Sequence, residues 1–327
     1  VALTGVLYGI VPKGFFPVQD TGLIQVITEA TQTTSFVAMS TRQQALADAL
    51  LGDPDVDHLV SFIGVDGANA TLNTGRMQIT LKPFAQRSAS ATEVIRRLAE
   101  RSARVPGITA YMQPVQDLTI EDRVSKTQYQ FLLSSPDVQA LASSTQRLLE
   151  RLRQRPELVD VASDLQDQGQ QAYVQIDREA AGRLGVTVAA IDTALYNAFG
   201  QRLVSTIYTQ SSQYRVVLEA APGLGRGPAA ITDLYVPGST TAANGATTTV
   251  QVPLSAVAQV LERPAALAIN HVAQFPSATV SFNLAPGVSL GHAVDAIKAE
   301  EARLDLPPSV ETSFQGAAEA FRASLSS

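Results

Sequence analysis

Asp53, Asp55 and Asp57 alternate along the chain with the spacing of carboxylates that ring a calcium ion. A calcium loop of that kind also needs glycine at its sixth position and glutamate at its twelfth. Those places hold His58 and Gly64, and Pro54 interrupts the run, so the three acids read as a solvated helix-to-strand turn. Gly223-Leu224-Gly225-Arg226-Gly227 shares only its glycines with a phosphate cradle, because no Lys-Ser/Thr pair follows and Pro228 comes at once. The three histidines, His58, His271 and His292, are far apart in sequence. Cysteine is absent, which removes disulfides, thiolate zinc sites, iron–sulfur clusters and a thiol nucleophile. Neither a Gly-x-Ser-x-Gly elbow nor an HExxH helix occurs. Glu300 and Glu301 share a helix with Lys298, the pattern of a solvated face. The residues offer no catalytic constellation and call for no cofactor and no metal.

The elements that would position any site come from periodicity. The 327 residues are 45% apolar and 17% charged, with a formal net charge of −6. That length suits about two to three domains with their own cores. The acidic balance, with no basic run, argues against a nucleic-acid partner. Val1 to Val11 is almost wholly apolar before Pro12-Lys13-Gly14 breaks it. It lacks the basic flank and cleavage site of a signal peptide, and a spanning helix needs about 20 such residues. It reads either as a buried core segment or as the exit end of a membrane helix. Gly316 to Ser327 begins an amphipathic helix without a cap, so both ends look excised from a longer chain.

Gly22 to Ala30 alternates as a strand, and Ser35 to Leu51 follows with helical spacing. Strands at Val56 to Ile63 and Arg76 to Leu81 flank a small, polar stretch. A helix at Ser90 to Ala103 carries Ser90 and Glu93 as a capping box, and a strand at Ile108 to Pro114 completes βαββαβ. The order then restarts with a strand at Thr127 to Ser134, a helix at Pro136 to Gln154 and a strand at Leu158 to Leu165. It resumes much later with strands at Leu267 to Phe275 and Thr279 to Leu284, a helix at Ser289 to Leu304 and a strand at Ser309 to Phe314. The expected fold is therefore α+β: two ferredoxin-like βαββαβ units, the second split by an inserted α+β subdomain at Asp164 to Gln259. Within the insertion, Gly238 to Thr249 reads as an exposed hairpin tip.

Specific residues carry a family resemblance. Pro12-Lys13-Gly14-Phe15-Phe16-Pro17, then Gln19-Asp20-Thr21-Gly22, resembles the segment after the seventh membrane helix of resistance–nodulation–division (RND) multidrug efflux transporters. Asn73-Thr74-Gly75, Asp177-Arg178-Glu179 with Leu184-Gly185-Val186, Asn197-Ala198-Phe199-Gly200-Gln201-Arg202 and Ser205-Thr206-Ile207-Tyr208 follow in family order. The forms Phe-Phe-Pro and Asn-Ala-Phe-Gly-Gln-Arg are most similar to the branch whose pumps combine two different inner-membrane subunits.

The resemblance implies the periplasmic loop between the seventh and eighth membrane helices of a Gram-negative inner-membrane protein. It assigns 1–16 to a helix end and linker, 17–122 to a first porter subdomain, 123–163 with 260–316 to a second, 164–259 to a docking subdomain, and 317–327 to the next helix. It further implies proton-driven antiport of drugs and other small amphiphiles by a trimer of the same or paralogous RND subunits. The partners would be a periplasmic adaptor and an outer-membrane channel, the tripartite arrangement of antibiotic resistance. Gly64 to Leu72 aligns with the family's switch loop, where Gly64, Val65, Asp66 and Gly67 replace an aromatic-bearing sequence. Ile27, Gln78, Tyr111 and Gln113 fall where residues of the substrate path sit, and the two glutamines favour a polar cargo. Docking is expected at Tyr208, Gln210, Asn244 and Gly245. The alternative is a non-conducting scaffold or assembly subunit of a heteromeric pump.

Overall fold

Alternating burial along Leu23-Ile24-Gln25-Val26-Ile27-Thr28-Glu29 makes β1 (Leu23–Glu29) a strand with Ile24, Val26 and Thr28 turned inward. The computed structural model describes residues 18–65, 69–117, 125–221, 227–241 and 244–326, so the expected membrane-helix end at 1–16 lies outside the described residues. After β1 come α1 (Phe36–Leu51), β2 (Val56–Ile63), β3 (Thr74–Leu81), α2 (Ala91–Ser102) and β4 (Thr109–Pro114). The Ser35 hydroxyl caps α1 by accepting from the Ala38 amide. Both halves of the Ser90–Glu93 capping box form at α2. The four strands lie in the order β2-β3-β1-β4, all neighbours antiparallel, which is the ferredoxin-like arrangement.

The helices cover one sheet face only. Met39, Leu46 and Leu50 of α1 and Val94 and Leu98 of α2 pack on Ile24, Val26, Met77 and Ile79. Each large side chain buried there contributes roughly 1.5–3 kcal/mol. Gly75 permits the tight seat of β3, because a Cβ there would lie 2.7 Å from Thr28 Oγ1. The helix-to-strand turn departs from the sequence expectation: Asp53 is buried, not solvated. Arg97 reaches Asp53 at 2.8 Å and Asp55 at 2.6 Å, while Asp57 contacts His58. The hydrogen bonds to Asp55 and Asp53 hold the Arg97 guanidinium above its usual range.

The second module opens with β5 (Tyr129–Ser134), α3 (Val138–Leu152) and β6 (Leu158–Ser163). The chain then enters a separate compact unit, Gln170–Ala265. Its elements are β7 (Gly169–Ile176), α4 (Arg178–Arg183), α5 (Val188–Phe199), β8 (Arg202–Tyr208), β9 (Gln213–Leu218), α6 (Pro228–Thr232), β10 (Tyr235–Thr241), β11 (Thr247–Pro253) and β12 (Ala258–Ala265). Three antiparallel pairs form there, β7 with β12, β8 with β9, and β10 with β11. Val186, Ile191, Val236, Leu254 and Val257 are its core. The exposed hairpin tip expected at Gly238 to Thr249 is the outer part of the β10–β11 hairpin, with its turn at Asn244 and Gly245.

The second module closes with β13 (Asn270–Val272), β14 (Phe275–Leu284), α7 (Leu290–Leu304), β15 (Glu311–Gln315) and α8 (Gly316–Ser326). Its sheet repeats the first: β6 beside β14, then β5, then β15. Phe131, Leu133, Val280 and Phe282 face Leu148 and Ile297 in its core. The two strands expected at Leu267 to Phe275 and Thr279 to Leu284 are instead one tight hairpin. β13 turns through Ala273 and Gln274, at φ of 48° and 73°, into a single ten-residue β14. Pro276 stands near the start of that strand, where a missing N–H is tolerated. Among the described residues, no helix is long and apolar enough to cross a membrane.

Candidate functional site

The face of the first sheet that its helices leave uncovered carries a mixed grid of polar and apolar side chains. One row across the strands reads Phe62, Arg76, Ile27, Tyr111, and the next reads Val60, Gln78, Gln25, Gln113. All these side chains share a face because strand residues two apart point the same way. The row holding Ile27 meets the second module at a cavity of about 230 Å³. Thr71, Thr74 and Arg76 line it from the first module, and Gln130, Thr279 and Ser281 from the second. Only Ile27, Ala70 and Ala268 among its lining residues are apolar. This front cavity offers hydrogen-bonding groups on both walls.

Behind it lies a network of buried polar side chains. Lys126 Nζ donates to Glu29 Oε1 at 2.7 Å and to the Ser163 carbonyl at 2.6 Å. Gln166 Nε2 donates to the same Glu29 oxygen at 2.7 Å, and Asn73 Nδ2 reaches Gln166 Oε1 at 3.3 Å and the Ala30 carbonyl at 3.0 Å. The Lys126 side chain is 10% exposed and that of Glu29 is 22%, so water screens their attraction little. Nearby, Asp164 accepts from the Thr279 amide at 2.6 Å and from Asn270 Nδ2 at 2.9 Å. Burial pushes the Asp164 carboxyl up, against these hydrogen bonds and the charge of Lys126. Burial, and secondly the charge of Glu29, pushes the Tyr111 phenol up to about 12. A second groove of about 750 Å³ runs along the far side of this network, lined by Glu29, Tyr111, Thr145, Arg153 and Ser163.

The residues singled out from sequence are partly gathered here. Ile27 lines the front cavity and Tyr111 the rear groove. Gln113 Nε2 donates to the Ser125 carbonyl at 3.2 Å, and Gln78 is exposed on the open face. Gly64, at φ +97°, and the exposed Val65 follow β2 at the sheet's edge, away from the cavity lining. Asp66 and Gly67 lie outside the described residues. In the unit Gln170–Ala265, Tyr208 and Gln210 are exposed at the β8–β9 turn, and Asn244 and Gly245 at the β10–β11 turn. Sequence reasoning missed Glu29, Lys126, Asp164 and Gln166. Asn73 stood out only within its Asn-Thr-Gly motif, and an isolated lysine before a strand carries no sign of burial.

Two ferredoxin-like modules meeting at a polar seam, the second interrupted by an α+β unit, form the porter architecture of RND transporters. The sequence profile of the AcrB/AcrD/AcrF family matches residues 1–327, and the chain belongs to that family. A heavy metal efflux pump in one crystal form has the same fold at a TM-score of 0.84 and 20% identity, covering 99% of this chain and 34% of that one. A second crystal form of a heavy metal efflux pump gives 0.83 and 22%, covering 99% and 34%. The chain thus spans about a third of the length of the pumps it matches.

Proposed function

We propose that this chain is the periplasmic porter and docking portion of a proton-driven RND efflux transporter, a carrier and not an enzyme. The seam between its βαββαβ modules holds part of the substrate path. The observation that carries this reading is the front cavity, which lies between two independently cored modules and is walled by hydrogen-bonding side chains. Family membership supports an inner-membrane trimer working with a periplasmic adaptor and an outer-membrane channel. The exposed turns at Tyr208 and Gln210 and at Asn244 and Gly245 are the surfaces assigned to docking.

The cargo is a polar organic molecule. The structurally similar pumps are heavy metal efflux pumps, and soft metals favour thiolate and thioether ligands. This chain has no cysteine, and its three methionines, Met39, Met77 and Met112, are all packed in the core of the first module. A susceptibility profile of cells lacking the full transporter tests the reading. Sensitisation to hydrophilic organic compounds is the expected result, and sensitisation confined to copper or silver salts would overturn it. The scaffold reading draws support from the small volume of the cavity, and blocking that cavity separates the two readings.

A further inference from the structure

Of the six asparagines in the chain, Asn244 alone is followed by glycine. It stands at the exposed tip of the β10–β11 hairpin, where Gly245 turns the backbone at φ +81°. Its side chain folds back over its own main chain, with Asn244 Oδ1 accepting from the Ala246 amide at 3.1 Å. That bond draws the side-chain carbonyl carbon toward the intervening Gly245 nitrogen. It also sets a donor on the oxygen that gains charge when this carbon is attacked. Gly245 has no Cβ to shield its nitrogen, and one built there would meet nothing within 4 Å, so the tip has room to rearrange. Other asparagine side chains are tied elsewhere: Asn73 to the Ala30 carbonyl, Asn197 to Arg202, Asn270 to Asp164 and Asn283 to Asp160.

We propose that Asn244–Gly245 is a self-modifying site, at which the asparagine amide is lost and isoaspartate forms. The Gly245 nitrogen, having given its proton to hydroxide, attacks Asn244 Cγ. An N–Cγ bond forms, the Cγ–Nδ2 bond breaks, and Nδ2 takes a proton from water and leaves as ammonia. Water then opens the resulting succinimide. Opening between Cγ and nitrogen leaves aspartate, whereas opening at the main-chain carbonyl leaves isoaspartate, with the backbone routed through the side chain. The sum is one water consumed and one ammonia released, with no change of oxidation state. The products add a negative charge at the tip of a chain already at −6. Below the tip, hydroxyl pairs join Thr240 to Thr248 at 3.1 Å and Thr241 to Thr247 at 3.3 Å, so the hairpin keeps its frame. The reaction does not rest on the docking assignment of this turn, but a turn that docks would carry the new carboxylate into its contact.

The test incubates the folded 327-residue chain in warm, mildly alkaline buffer beside a synthetic peptide of Gly238 to Val250, which serves as the clock. Peptide mapping by mass and enzymatic methylation specific for isoaspartate follow both. Isoaspartate should accumulate at position 244 of the folded chain at a rate within about tenfold of the peptide's. The rate should rise with pH, because the attacking nitrogen must lose its proton. Asn244→Gln, whose longer side chain closes a larger and slower-forming ring, should abolish the isoaspartate signal from the folded chain. Thermal melts of converted and fresh chains should coincide, since the threonine pairs below the tip are untouched. An Asn244 still intact when the peptide is fully converted would overturn the proposal, showing that the hairpin protects the site. Isoaspartate persisting in Asn244→Gln would overturn it equally. No cargo, adaptor or channel enters the measurement, so its failure is distinct from failure of the transporter reading.

Discussion

Ile27 and Tyr111 are register partners on adjacent antiparallel strands, yet they line different cavities. Ile27 opens on the front cavity and Tyr111 on the rear groove, with Lys126 Nζ 5.8 Å from the tyrosine ring centre. One strand pair therefore borders both cavities, on either side of the Lys126–Glu29 ion pair.

The Tyr111 phenol should titrate near 12. Absorbance titration of the chain against Tyr111→Phe isolates its contribution, and Glu29→Gln should lower its pKa by removing the second largest of the raising influences. The folded state holds this proton more tightly than the unfolded state does. Stability is therefore complete below the ordinary tyrosine value of 10.0 and is lost as pH rises through about 12. Chemical denaturation across that window should show the decline, and Tyr111→Phe should reduce it.

Asp20 should govern stability at the acid end. Arg87, whose side chain is 1% exposed, holds Asp20 at 2.6 Å, and its hydrogen bonds bring the Asp20 carboxyl below 3.8. Asp20→Ala strands a buried guanidinium and should cost roughly 3 kcal/mol near neutral pH. Since the folded value is depressed, the stabilisation is present above 3.8 and fades as pH falls through the lower, folded value. Urea melts at neutral and strongly acidic pH should show the parent and variant converging only in acid.

Close backbone approaches should separate the glycines. Gly75→Ala would press on Thr28 Oγ1, which donates to Gln43 Oε1 at 2.7 Å, and should destabilise by about 2 kcal/mol or more. Gly185→Ala should be worse, because Gly185 has φ +62° and a Cβ would stand 2.2 Å from the Ser239 carbonyl oxygen. Gly182 lies within α4 with open space around it, so Gly182→Ala should be neutral or stabilising by up to about 1 kcal/mol. Thermal melts of the three variants rank them directly.

The sequence revealed elements whose signals are local. Ser90 and Glu93 announce α2, and the alternation around Ile24 and Val26 announces β1 and the face it buries. Burial of charge was not legible, since Lys126 and Asp53 acquire partners only when distant segments meet. The β13–β14 hairpin was missed for a different reason. Its turn uses Ala273 and Gln274 at positive φ, without the Asn or Gly that normally marks such a turn. Resemblance placed Ile27 and Tyr111 in the substrate path, but only the folded chain shows that these register partners line different cavities.

The most direct test of the seam as substrate path uses the full transporter carrying Ile27→Cys, whose side chain lines the front cavity. A bulky maleimide attached there should fill the cavity. Export of the compounds to which loss of the transporter sensitises its host should then fall to the level of the deletion strain. The same reagent on Arg96→Cys, on the exposed side of α2, should leave export intact. Full export with Ile27→Cys quantitatively modified would contradict the account and leave the chain a scaffold beside some other route.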